Sequence, residues 1–229
     1  MNRSDQRKYT PLATQDVKNE LERLLGSTQS EYREAMYNLG RHLGAELRPR
    51  LGRKAFAVVT TPEDADFLTR GLLEELPSQR ARLACYWTQR ISTSVEGRDV
   101  ATIVQEFVEP MPRELGHVII AKSIISSGCI IRTNLDDFLS RANPEHIIIA
   151  APVMLHGAND VLKAEFAPRV SKRFEFVTFA VDAKRDAVTR DVVPGVGGRV
   201  EKRLGLDKKS PRFSPALVRQ RRSSMAVTA

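Results

Sequence analysis

The sequence predicts an α/β protein: a parallel sheet with helices on both faces, an N-terminal helical extension and a projecting β-hairpin arm. Three observations predict it. First, Ala55–Thr60, Val118–Ala121 and His146–Ala151 are short runs that are almost entirely apolar rather than alternating, as expected of strands covered on both faces. Second, helical spacing fills the stretches between such runs, as from Pro62 to Glu75. Third, Val118 to Leu155 (VIIAKSIISSGCIIRTNLDDFLSRANPEHIIIAAPVML) reads as strand, tight loop, helix, strand. A crossover of that kind joins parallel strands with a right-handed connection.

The elements follow in order. Residues 1–12 read as a flexible lead. Asp16–Leu25 is an amphipathic helix ended by Gly26. Ser30–Leu47 is a second helix with Tyr32, Met36, Leu39, Leu43 and Leu47 on one stripe, and Thr28 with Glu31 supplies a capping box. Pro49 and Gly52 break the chain before Ala55–Thr60. Pro62 opens a helix running to Glu75, Pro77 ends it, and Arg82–Trp87 is the next strand. Residues 88–112 alternate at Val100, Thr102, Val104, Glu106 and Val108, which gives the hairpin arm.

In the central unit, Ile131, Leu135, Phe138 and Leu139 form the inner face of a helix from Ile130 to Arg141, which Asn143-Pro144 stops. His156–Phe166 reads as a short helix and Phe174–Val181 as a strand. Residues 182–192 read as a charged loop, Val193–Gly198 as a glycine-rich loop, Arg199–Leu204 as a helical turn, and 206–229 as a tail. The expected organisation is a lead and helix over 1–29, the main domain over 30–206 and a basic tail over 207–229.

Composition narrows the function classes. The 229 residues are 41% hydrophobic and 28% charged, enough for one sizeable core with extensions. No apolar run approaches the ~20 residues of a membrane span, and the first residues lack the apolar stretch of a signal peptide. Cys85 and Cys129 are the only cysteines, which suits a reduced, cytoplasmic protein, and neither they nor the four histidines have metal-ligand spacing, so no metal is expected. The net charge of +8 is uneven. Arg199, Lys202, Arg203, Lys208, Lys209, Arg212, Arg219, Arg221 and Arg222 crowd the end of the chain against Glu201 and Asp207. Such a block suits a polyanion, nucleic acid or a nucleoprotein complex, or serves as a solvated tail.

Two places carry candidate chemistry. The loop Ser126-Ser127-Gly128-Cys129 lies at the carboxyl end of a strand and the amino end of a helix, where free N–H groups favour an anion. The same hydroxyls read equally as caps for that helix. Lys122 beside it holds a phosphate as a point charge, or pairs with Asp136 or another acid. Glu63 and Asp64 open a helix, where acids complement the dipole, and they also form a paired-carboxylate candidate for acid–base work.

Four stretches taken together resemble the type I phosphoribosyltransferases, most closely the uracil phosphoribosyltransferases, over roughly residues 30 to 206. VIIAKSIISSGCII resembles the strand and 5′-phosphate turn. AVVTTPEDADFLTRG resembles the strand and pyrophosphate loop, and ELPSQRARLACYW the strand after it. VVPGVGGRVEKRLGL is similar to the loop that holds the pyrimidine, on Val193, Pro194, Gly195, Val196, Gly197 and Gly198. The resemblance implies a Rossmann-like phosphoribosyltransferase fold and a homodimer.

The catalytic positions depart from the family's pattern. Lys122 stands where the resemblance implies an acid that grips ribose hydroxyls. Glu63 stands where it implies an arginine on pyrophosphate. Cys129 and Ile130 replace a glycine and a hydroxyl residue, and Gly198 replaces an acid, with Glu201 at a second acidic position. The expectation is a decayed transferase site in a regulatory or effector subunit. Two resemblances suit it: an RNA-binding regulator of pyrimidine operons, and accessory proteins of retron-type anti-phage defence. The alternative is an active phosphoribosyltransferase or a nucleotide N-glycosidic-bond enzyme using Glu63, Asp64 or Glu201, with Mg²⁺ only in that case; a nucleotide is a candidate ligand on either reading.

Overall fold

A computed structural model describes residues 6–92, 99–206 and 213–228. The strands are β1 (Arg7–Tyr9), β2 (Ala55–Thr60), β3 (Ala81–Ser92), β4 (Asp99–Val108), β5 (Leu115–Ala121), β6 (Ile124–Ile125), β7 (His146–Leu155), β8 (Phe174–Asp182), β9 (Lys184–Arg185) and β10 (Val192–Val193). The helices are α1 (Gln15–Gly26), α2 (Gln29–Leu47), α3 (Pro62–Asp64), α4 (Arg70–Glu74), α5 (Cys129–Arg141), α6 (Ala158–Ala164), α7 (Pro168–Ser171), α8 (Val200–Arg203) and α9 (Ala216–Thr228).

The described residues build an eight-stranded sheet of order β1-β8-β7-β5-β2-β3-β4, with β6 also on β7, and a separate β9–β10 ladder. The central strands β3, β2, β5, β7 and β8 pair in parallel. The two edges, β4 on β3 and β1 on β8, pair antiparallel. The architecture is therefore the expected α/β sheet with helices on both faces.

Alternation along the parallel strands divides the core in two. Phe56, Val58, Leu83, Ile119, Ile148 and Phe179 pack with α1, α2 and α9 on one face. Ala57, Val59, Tyr86, Val118, Ile120 and Ile149 pack with α5 and α6 on the other. The α2 stripe from Tyr32 to Leu47 is wholly inside the first core. Thr28 caps α2 in a reciprocal box with Glu31, as its spacing predicts. Gly40 and Gly71 let α2 and the segment after α3 touch backbone to backbone, since a Cβ on either would lie 2.1 or 2.2 Å from a carbonyl oxygen.

Several expectations are corrected. The lead is not free: β1 closes one sheet edge, and Val17, Leu21 and Leu24 of α1 lie in the shared core. The helix from Pro62 is interrupted by a π-helical stretch, Ala65–Thr69. The charged loop over 182–192 contains the β9–β10 ladder. The chain end is docked: Leu217 and Val218 of α9 are buried in the same core as α1 and α2. Asp66 accepts hydrogen bonds from the Ala216 and Leu217 amides at 2.9 and 2.8 Å, and Trp87 Nε1 donates to Phe213 O at 2.9 Å. The expected boundaries near 29 and 207 thus do not separate independent cores. The hairpin arm exists as β3 and β4, an extension of the sheet edge that α5 packs against.

The β5 side of β7 changes partner partway along. β7 pairs with β5 through Ala150 and with β6 from Val153, and Pro152, which has no N–H to give, fills the gap. There the chain leaves the sheet at Lys122 and Ser123, and the cleft described below opens.

Candidate functional site

The carboxyl ends of β2 and β5 lie side by side, and their outgoing segments meet in one buried cluster. Lys122 Nζ lies 2.5 Å from Asp64 Oδ2 and 2.8 Å from Glu63 Oε1. It also donates to Thr61 Oγ1 at 2.8 Å, while the Thr61 hydroxyl donates to Asp64 Oδ2 at 3.0 Å. The Ser123 amide donates to Asp64 Oδ1 at 3.1 Å. The Asp64 side chain is 0% exposed, Lys122 10% and Glu63 17%. All three ammonium protons therefore have oxygen acceptors, and Lys122 pairs with these acids; Asp136 instead faces Arg132.

Burial pushes both carboxyls upward. At Glu63 the charge and hydrogen bond of Lys122 outweigh it, and the group is held below the ordinary glutamate range. At Asp64 burial prevails, with repulsion from Glu63 adding to it, and the group lies above the ordinary aspartate range. Burial alone would lower Lys122, but Asp64 and Glu63 together raise it.

A divalent cation does not fit this arrangement. The hard oxygens it would use, Glu63 and Asp64, are already held by the tethered ammonium. Among the described residues no group of three or more His, Cys, Asp or Glu is placed to hold a metal ion.

The second component is the turn before α5. Gly128 is the N-cap residue, in the left-handed region at φ 75°, and has no side chain with which to cap the helix. The expected capping by Ser127 is therefore corrected: its hydroxyl is buried without a hydrogen-bond partner among the described residues. The first-turn amides lack intrahelical acceptors, as at every helix start.

The third component is the glycine-rich loop. Gly195, Gly197 and Gly198 have φ of 59°, 78° and 107°, and the Val193–Pro194 peptide is cis. Val196 turns inward and packs with Val200, Leu204 and Leu24. A Cβ on Gly197 would sit 2.3 Å from the Leu24 carbonyl oxygen, so α1 backs the loop directly.

These components line one cleft of about 880 Å³. Glu63 and the mostly buried Lys122 line its inner end, together with Ser126, Gly128 and Ile130 of the turn and Val196, Gly198 and Glu201 of the loop and α8. Asp64 lies behind Lys122. Ser127, Cys129, Val193, Pro194, Gly195 and Gly197 shape the walls without lining the cleft. Sequence reasoning missed the rim: Thr88 and Gln89 from β3, Arg185 from β9, and Thr189, Arg190 and Asp191 from the β9–β10 connection. The charge of residues 182–192 was the available signal. A second hollow of about 760 Å³ adjoins it, lined by Gln29, Arg199, Lys202 and Arg203 among others.

The basic candidates are elsewhere. Arg219, Arg221 and Arg222 lie on α9. Arg219 bonds the Ser214 carbonyl, Arg221 lies 3.7 Å from buried Glu109, and the Arg222 guanidinium stacks 5.3 Å over Phe107. Lys208, Lys209 and Arg212 lie outside the described residues. No helix among the described residues is long and apolar enough to cross a membrane.

No protein-family model matches the sequence, and no curated protein matches it. Solved structures do. The AQ2163 protein from Aquifex aeolicus superposes with a TM-score of 0.69 at 15% identity, over 88% of this chain and 99% of that one. At this identity the likeness is one of fold. A hypoxanthine phosphoribosyltransferase from Staphylococcus aureus aligns with a TM-score of 0.41 at 15% identity, over 57% of this chain and 67% of that one. A purine phosphoribosyltransferase from Pyrococcus horikoshii aligns at 0.40 and 14%, over 62% and 82%.

Proposed function

We propose that the chain is a phosphoribosyltransferase-like protein with a decayed transferase site, acting as a regulatory or effector subunit whose basic C-terminal segment meets nucleic acid or a nucleoprotein complex. One observation carries the first half: Lys122 is locked between Glu63 and Asp64 at the inner end of the cleft. The family resemblance implies an acid at 122 and an arginine at 63. Here the signs are exchanged and satisfy one another. An incoming diphosphate meets the Glu63 carboxylate and cannot reach the ammonium without breaking a buried pair.

Ser126, Gly128 and Ile130 of the turn and Val196 and Gly198 of the loop line the same cleft, which supports a nucleotide as the small ligand. The test is calorimetric titration with Mg²⁺ and phosphoribosyl pyrophosphate. The expected result is no binding at millimolar ligand. Micromolar binding would overturn the reading in favour of the alternative, an active uracil-type transferase or a nucleotide N-glycosidic-bond enzyme needing Mg²⁺.

The second half rests on α9, which has basic side chains and no acid. Arg219 and Arg222 are exposed and are the proposed contacts, while Arg221 is partly engaged by Glu109. Each phosphate contact removed flattens the salt dependence by about 0.9 in log–log slope. Changing Arg219 and Arg222 to Ala should therefore reduce the slope by about 1.8. An unchanged slope would remove α9 from the interface. Retron-type anti-phage defence in the cytoplasm is the setting the sequence resemblance favours. A homodimer belongs to the same reading, with a surface other than the α2 stripe, which is spent inside the subunit; sedimentation equilibrium tests it.

A further inference from the structure

The loop that walls the cleft is tied to the other end of the chain. Arg7 of β1 makes a two-pronged ion pair with Asp182 of β8, Nε to Oδ1 at 2.7 Å and Nη2 to Oδ2 at 2.8 Å. The Arg7 and Asp182 side chains are 3% and 0% exposed. The pair engages both backbone groups of Gly195. Arg7 Nη2 donates to the Gly195 carbonyl, and the Gly195 amide donates to Asp182 Oδ2 at 2.7 Å. Gly195 is at φ 59°, and a Cβ there would lie 2.2 Å from Val192 O.

A buried ion pair is weak as a source of stability, because desolvation offsets the attraction. This one also leaves Arg7 Nη1 buried without a partner among the described residues. What the pair does specify is the path of the chain through Gly195, immediately before Val196 and Gly198 enter the cleft wall. It is held by a strand of only three residues at the sheet edge.

We propose that Arg7 and Asp182 are positioning residues of the ligand cleft, and that β1 is the latch setting the glycine-rich wall against which the base end of a nucleotide lies. The proposal rests on the reading of the cleft as a nucleotide site. Neither residue lines the cleft; they act through Gly195.

The test uses the full chain. An Arg7→Met/Asp182→Leu double variant removes both charges at once, so no lone buried charge remains to destabilise the fold. Arg7→Lys is the second variant, keeping a charge without the fork. Lys54→Ala, which breaks a surface pair with Glu145 at 2.7 Å, is the control. Amide hydrogen exchange without ligand is read over residues 193–201. At least ten-fold faster exchange there is expected in the double variant, with Arg7→Lys intermediate and β2 and β5 unchanged. Calorimetry then compares uridine 5′-monophosphate with inorganic phosphate. The double variant should weaken the nucleotide at least ten-fold and leave phosphate, held at the turn before α5, unchanged.

Unchanged exchange over 193–201 in the folded double variant, or in Arg7→Lys if the double variant does not fold, overturns the latch. Equal weakening of nucleotide and phosphate also overturns it, since general loosening would do that. If the native chain binds neither probe, the nucleotide reading fails, and the exchange result alone decides the latch.

Discussion

Replacing Lys122 by Met removes the ammonium and leaves the Glu63 and Asp64 carboxylates facing one another in a nearly closed space. Methionine fills much of the same volume, so the effect is electrostatic. Breaking a buried pair by removing one partner costs roughly 3–5 kcal/mol. For a chain of this size each kcal/mol shifts Tm by about 2–4 °C, which places the variant about 6–20 °C below the native protein at pH 7.5. The pH dependence follows from the same residues. Without Lys122, burial holds both carboxyls above their unfolded values, so the folded state binds more protons than the unfolded state. Stability in the variant is then present at low pH and is lost as pH rises from the unfolded carboxyl range through the raised folded values. Thermal unfolding of both proteins from pH 5 to 8 measures it. The deficit should shrink by at least half at pH 5. A deficit below about 2 °C at pH 7.5, less than one kcal/mol by the same conversion, or one independent of pH, would show that Lys122 does not neutralise the pair.

Two further outcomes probe how the cleft is supported. Gly40→Ala places a Cβ 2.1 Å from the Leu68 carbonyl oxygen, whereas Gly52→Ala meets nothing within 4 Å. The first should cost about 1–3 kcal/mol or more in denaturant unfolding and the second should be near neutral; equal stability of the two would refute the close approach of α2 to the π-helical stretch. Asp66→Ala removes the acceptor for the Ala216 and Leu217 amides. A lost cap of this kind costs about 0.5–2 kcal/mol. Faster amide exchange confined to α9 is expected, and undiminished protection there would show that Asp66 does not anchor it.

Much of the fold was legible because its signals are local. Ala55–Thr60 is apolar throughout, and it is a strand over those same residues, between two parallel neighbours. Thr28 and Glu31 are three residues apart, and three residues is the reach of a capping box. The misses share a physical cause. β1 is three residues of Arg-Lys-Tyr, too short and polar for a period to show. α9 buries little beyond Leu217 and Val218, so its apolar stripe is nearly invisible against its arginines. Ser127 has the chemistry of a cap, yet Gly128 takes the N-cap place and the Ser127 hydroxyl is left without a partner among the described residues.

The α/β class, the positions of the parallel strands and the places of the two loops that line the cleft are all written locally in the sequence. Each depends on periodicity or turn chemistry within a few residues. Which charges meet depends on how the strands are ordered in space. Lys122 finds Glu63 across 59 residues because β2 and β5 are neighbours in the sheet. Arg7 finds Asp182 across 175 because β1 returns to the edge beside β8. A charge in a sequence has many possible partners; strand order and burial decide which of them it meets.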